Sequence, residues 1–211
     1  MKIERWGLID YQLAVDRQLA LLEDVAEGAE QTIVICSHPA VVTLGRGTQP
    51  EDLSSWQGAV VEASRGGRAT YHGPNQIIIY PIIDLRRPHR GFPERDVHSY
   101  LRALEKASVR ALHGLGVQAA EARTVETEGL SLTGVWVGQN KVASIGIAVR
   151  KWVTYHGVAI NLEDDPSAFQ GIRPCGFSRQ VMSSVERELG RAVRREDCLP
   201  VFEQAFIEEF A

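Results

Sequence analysis

Between residues 10 and 27, Tyr11, Val15, Leu19, Leu22 and Ala26 follow one another at intervals of three or four, with charged positions between them. That spacing predicts an amphipathic helix, and Gly28 gives it a stop. The period then shortens. TIVIC at 32–36 and VVTLG at 41–45 are β-branched runs split by Ser37-His38-Pro39, which reads as two strands and a tight connection. GAVVEAS at 58–64 is another strand-like run, leading into the glycine-rich RGGRATYHGPNQ at 65–76. QIIIYPIIDL at 76–85 is the most continuous apolar run, as expected of a central strand.

The helical period returns from Asp96 to about His113, on Val97, Leu101, Leu104, Ser108, Ala111 and Leu112, and Gly114 and Gly116 close it. VQAAEAR at 117–123 reads as a strand, and GVWVGQNKVASIG at 134–146 as a hairpin turning at Gly138-Gln139-Asn140. Lys141 begins the returning strand, where strict alternation puts it on the face of Ala143, Ile145 and Ile147. WVTYHGVAINL at 152–162 is a further strand. From Gln180 onward the chain reads as helical, with an interruption expected at Pro200. With no repeat, low-complexity tract or long linker, this order predicts one α/β (α+β) domain, a mixed, mainly antiparallel sheet flanked by helices.

The 211 residues suit a single domain covering the whole chain, 1–211. Apolar residues are 44% and charged residues 24%, ordinary for a soluble domain. A net charge of −4 gives no footprint for nucleic acid, though a local basic patch for an acidic partner is compatible with it. The charged N-terminus does not read as a secretory signal, and no window approaches the roughly 18 apolar residues a membrane span needs. Cys36, Cys175 and Cys198 are an odd, widely spaced set, which favours neither a disulfide framework nor a zinc site. The expectation is a cytoplasmic protein.

The stretch from Lys141 to Cys175 holds the candidate chemistry. Cys175 lies between Pro174 and Gly176, outside any apolar periodic run. Cys36 lies in an apolar strand as an inert core thiol, and nothing is expected of Cys198. An ammonium near a thiol favours the thiolate, so a Cys–Lys pair makes a nucleophile and holds a proton with no metal or cofactor. Taken alone, Lys141 at a hairpin is simply a solvated residue. The loop RGGRATYHGPNQ either wraps a carbonyl or phosphate with unhindered backbone N–H groups or is an exposed connection. It has neither P-loop nor dinucleotide-binding spacing. His72 within it is either a proton shuttle or an ordering hydrogen bonder.

Several ordered blocks then resemble one known family, the octanoyltransferases of lipoate synthesis, also called lipoyl(octanoyl) transferases or lipoate-protein ligase B. HPAVVTLGR at 38–46, RGGRATYHGPNQ running into IIIYPIIDL, GVWVGQNKVASIGIAVRKWVTYHGVAIN, and RPCG at 173–176 carry the resemblance over nearly the whole chain. One departure is Asn75, where the family usually has glycine. The resemblance implies the fold of biotin and lipoate ligase catalytic domains. It also implies transfer of an octanoyl group from octanoyl-acyl carrier protein to a lysine of lipoyl domains, in 2-oxoacid dehydrogenase E2 subunits and the glycine cleavage H protein.

By position, Cys175 would be the acyl-thioester nucleophile and Lys141 the residue that lowers its pKa, with His72 a further catalytic candidate. Arg65, Gly66, Gly67, Arg68, Ala69, Thr70, Tyr71 and His72, with Ser144, Ile145, Gly146, Gly157, Val158 and Ala159, would line the acyl site. Glycine-rich backbone beside Cys175 would supply oxyanion donors. No cofactor, metal, nucleic acid or membrane is implied, and a monomer is expected. Arg86, Arg87, Arg90 and Arg95, or Arg150 and Lys151, are candidate docking cations. The alternatives are an ATP-dependent lipoate-protein ligase on the same fold, a thioester hydrolase or amidase using the same pair, and a silent carrier-binding module.

Overall fold

A computed structural model describes residues 1–89, 91–127 and 130–211. The chain runs β1 (Lys2–Leu8), α1 (Tyr11–Ala26), β2 (Thr32–Ser37), β3 (Val41–Leu44), β4 (Ala59–Glu62), β5 (Thr70–His72) and β6 (Gln76–Ile82). It continues with α2 (Val97–Gly114), β7 (Ala120–Thr127), β8 (Leu130–Val137), β9 (Asn140–Arg150), β10 (Val153–Asn161), α3 (Val185–Leu189) and α4 (Arg195–Phe210). Seven strands form one sheet in the order β1-β2-β6-β10-β9-β8-β7. Its β1–β2 pair is parallel and its other pairs antiparallel, which agrees with the sheet expected from the sequence.

Helices cover both faces. On one, Ile77, Ile79 and Ile83 pack with Tyr100 and Leu104 of α2 and Phe202 and Phe206 of α4. On the other, Ile78 and Tyr80 pack with Ala14 of α1, while Leu22 and Val25 cover Ile82 and Ala148. QIIIYPI is therefore buried at every position, as its composition requires. Asp10 and Asp96 cap α1 and α2 by accepting the N–H of Leu13 and Ser99. No helix among the described residues is long and apolar enough to cross a membrane.

Four details differ from the sequence reading. β1 is an additional strand, largely exposed, so its side chains show no buried alternation. β3, β4 and β5 form a separate three-stranded sheet, because β2 already has β1 and β6 on its two edges and cannot also pair with β3. Pro200 lies inside α4 rather than breaking it; it is exposed, and the buried Phe202 and Phe206 hold the helix across the missing backbone bond.

The fourth difference concerns Lys141. Trp136 pairs with Lys141, but Val135 pairs with Ala143, leaving Val142 as an extra residue in β9. This bulge reverses the alternation. A side chain on Gly134, which pairs with Ser144, would meet Lys141 Cε at 2.6 Å. Lys141 thus lies on the face of Gly134 and Ser144, not that of Ala143, Ile145 and Ile147.

Candidate active site

The bulge points Lys141 into a cavity of about 120 Å³ against the sheet, closed by the loop before β5 and by the Cys175 turn. Pairing of β8 with β9 stops at Gly134–Ser144. Beyond that point Leu132 and Thr133 flank a gap opposite Ile145 and Ile147, and the cavity reaches Leu101 on α2. Among the described residues its lining contains no carboxylate.

Cys175 sits in a 3₁₀ turn, Pro174–Gly176, in the left-handed region at φ 53°. It is 7% exposed, and its N–H donates to Ala69 O at 2.8 Å. Lys141 is fully buried. Its Nζ has no hydrogen-bond partner and lies 5.6 Å from the Trp136 ring centre and 5.4 Å from that of Phe177. The two aromatic rings hold the ammonium by cation–π attraction. Cys175 and Lys141 line the same cavity.

Among the other residues expected from the sequence, Arg65, Gly66, Gly67, Thr70 and His72 line the cavity from the loop and β5. Ser144, Ile145 and Gly146 line it from β9, and Gly157, Val158 and Ala159 from β10. Arg68, Ala69 and Tyr71 do not. Alternation along β5 turns Tyr71 away, onto Trp56 and Phe169, and in the loop before it Ala69 contributes its carbonyl to the Cys175 N–H. Arg68 reaches buried Asp52 through Nε at 3.1 and 3.0 Å and Nη2 at 2.7 Å, a forked pair in which charge answers charge.

Arg65 is answered differently. Nη1 donates to Gly66 O and Arg68 O, and Nη2 to Thr43 O and Oγ1. Nε has no partner. Glycines make the seat, since a side chain on Gly45 would meet Arg65 Nη1 at 2.6 Å and one on Gly146 would meet Cδ at 3.1 Å. Burial lowers the pKa of this guanidinium from its usual value, although arginine stays charged.

His72 places Nδ1 3.2 Å from Gln76 Oε1, so Nδ1 carries the hydrogen and donates. Burial first, then His38 and Arg65, hold its pKa well below the usual histidine range. Such a ring is a neutral wall and a weak base. His156 is lowered to about 3 by burial and then Arg65. It stands at φ 58°, and its N–H is taken by Gln18 Oε1 at 2.8 Å. His38 Nδ1 lies 2.8 Å from Ile9 O, which makes Nε2 the acceptor of the Tyr80 hydroxyl at 2.8 Å.

The sequence reading omitted Tyr11, Ile78, Tyr80, Leu101, Leu132, Thr133, Ile147 and His156 from the lining. A tyrosine interrupting the isoleucine run and a histidine before Gly157 were usable signals; the gap that admits Leu101 and Thr133 left none.

The N–H groups next to Cys175 in the chain, and that of Gly66, are engaged within the fold. The N–H of Gly176 goes to Arg173 O, that of Phe177 to Pro174 O, and that of Gly66 to Ile147 O. Asn75 needs no glycine-only conformation, since its φ is not positive. The expected docking cations are engaged: Arg86 and Arg87 by Asp84, Arg150 and Lys151 by Glu23, and Arg95 over Trp152. Arg90 lies outside the described residues. Among the described residues no group of three or more His, Cys, Asp or Glu could hold a metal ion.

The fold is that of the lipoate and biotin ligase catalytic domains. A crystal structure of lipoate-protein ligase A bound with ATP superposes with a TM-score of 0.78 at 17% identity, covering 99% of this chain and 84% of that one. Biotin protein ligase from Aquifex aeolicus, in complex with biotin and ATP, gives 0.54 at 11% identity, covering 99% and 69%. The chain matches the family described as the lipoyl protein ligase A/B catalytic domain over residues 10–210. It is 46% identical over 194 residues to the octanoyltransferase of Bdellovibrio bacteriovorus, covering 89% of each chain. The chain belongs to the octanoyltransferases of this family and is an acyltransferase.

Proposed function

We propose that the protein transfers an octanoyl group from octanoyl-acyl carrier protein to a lysine of lipoyl domains through a thioester on Cys175. Acceptors are the E2 subunits of 2-oxoacid dehydrogenases and the glycine cleavage H protein, and the protein works as a cytoplasmic monomer. The reading is carried by one observation: a buried thiol and a buried, carboxylate-free lysine line a single cavity walled by glycine-bearing strands.

Cys175 Sγ attacks the donor thioester carbon while Lys141 holds the thiol proton. The departing carrier thiolate takes that proton from Lys141, leaving octanoyl-Cys175 and a neutral amine. Lys141 then accepts a proton from the incoming lysine as its amine attacks Cys175's thioester. An amide replaces a thioester, which drives the exchange forward without ATP. Burial of six methylenes contributes on the order of 5 kcal/mol, at about 0.8 each, enough to discriminate against short acyl groups.

Intact-mass measurement after mixing with octanoyl carrier protein tests this. An octanoyl increment is expected, absent in Cys175→Ala. Retention of the increment in that variant would remove Cys175 from the mechanism. The likeness in fold to an ATP-bound ligase raises a second reading, ATP-dependent ligation of free octanoate. Under that reading transfer requires ATP and survives Cys175→Ala.

A further inference from the structure

We propose that the Arg65 Nε–H receives the carbonyl oxygen of the acyl group when Cys175 attacks, and so forms the oxyanion site of the reaction. This rests on the Cys175 thioester reading and assigns the donor that reading leaves open.

An attack at a carbonyl moves a pair of electrons onto oxygen, and a donor fixed in advance stabilises that charge. The backbone around the nucleophile is the usual source. Here Cys175, Gly176 and Phe177 all spend their N–H groups within the fold. Among the described residues, three buried side-chain polar groups of the lining have no partner: Tyr11 Oη, Lys141 Nζ and Arg65 Nε. Lys141 is occupied with proton transfer, and Tyr11 is stacked against His72, 5.7 Å between ring centres.

Arg65 has the better credentials on three counts. A guanidinium carries five N–H donors in one plane, and four are anchored to fixed oxygen atoms of Thr43, Gly66 and Arg68. The direction of the fifth is thereby set before any substrate arrives. Gly45 and Gly146 leave room for this side chain and for nothing larger than hydrogen of their own. Finally, Arg65 and Cys175 line the same cavity, and no carboxylate among its described residues competes for the charge.

In the step itself, the Sγ–C bond forms as the C=O pair moves to oxygen, which accepts from Nε–H. On collapse the pair returns, the C–S bond to the carrier breaks, and the carrier sulfur takes the Lys141 proton.

The test compares two reactions of one thiol. Acylation by octanoyl-pantetheine passes through an oxyanion; alkylation by iodoacetamide, a displacement at a saturated carbon, does not. Arg65→Gln and Arg65→Lys are expected to slow acylation by about 10²- to 10³-fold, the usual loss for one oxyanion donor, with alkylation unchanged in Arg65→Lys, which keeps the charge, and slowed far less than acylation in Arg65→Gln. Equal losses in both reactions, or undiminished acylation, would overturn the assignment. Should both variants fail to fold, Thr43→Val decides: it removes one anchor, and a smaller loss confined to acylation is expected, whereas no loss overturns the proposal. Wild-type protein that never gains the octanoyl mass would sink the Cys175 reading and this inference together; with that mass present, the variants judge Arg65 alone.

Discussion

Arg65 and Arg68 stand three residues apart in one glycine-rich loop, both buried, and differ in what answers their charge. Arg68 faces away from the cavity and forks onto Asp52, itself fully buried. Arg65 faces the cavity and meets only neutral oxygens. Lys141, across the cavity, has two aromatic rings and, among the described residues, no anion beside it. The back of the loop is thus electrostatically closed, whereas its front is an open positive site awaiting electron-rich atoms. Burying a cation without an anion costs stability, a cost that the back of the loop avoids and the front bears.

Lys141→Met sharpens this contrast most. Loss of a positioned acid–base typically lowers the rate by about 10²- to 10⁴-fold, and a transfer assay is expected to show that. Stability should rise rather than fall in chemical denaturation, because an unanswered buried charge is removed. Arg68→Ala is the mirror experiment. Breaking a buried pair from one side costs about 3–5 kcal/mol, while the double change Arg68→Met with Asp52→Leu should recover most of that loss. An Arg68→Ala protein as stable as wild type would break the comparison.

Acid should destabilise the cavity wall next. His72 and His156 are held below the ordinary value of 6.5, His156 to about 3. Between those values the unfolded chain binds protons that the folded one does not, so their contribution is complete above about pH 6.5 and is lost as pH falls toward 3. Melting temperature is expected to decline over that window, and less steeply in His156→Gln. The smallest effect is assigned to His72→Gln, whose replacement can keep a polar contact toward Gln76. Transfer should then fall by less than about tenfold, well short of a general acid–base loss; a larger fall would restore His72 as a proton carrier.

The sequence made the repeating parts of the molecule legible. Amphipathic spacing at Tyr11–Ala26 and β-branched composition at 32–36 and 76–82 each correspond to an element of the fold. What it hid were places where one residue changes a register or a pairing. Val142, an unremarkable valine in an alternating strand, moves Lys141 to the opposite face. Asp52, which no sequence pattern singles out, fixes which side of the RGGR loop is structural. Cys175 and Lys141 stood out as a chemically suggestive pair and through the family resemblance; their common cavity depends on β9, the loop before β5 and the Cys175 turn meeting in space.

The left-handed backbone at Cys175 has a consequence for evolution of the molecule. A side chain in that conformation is disfavoured by about 1–2 kcal/mol, a penalty glycine escapes. Cys175→Gly should therefore yield an inert protein that melts slightly higher than its parent, a gain of up to about 1 kcal/mol after the added freedom of the unfolded chain. Selection for durability alone would favour glycine there, so the sulfur is kept at a conformational cost.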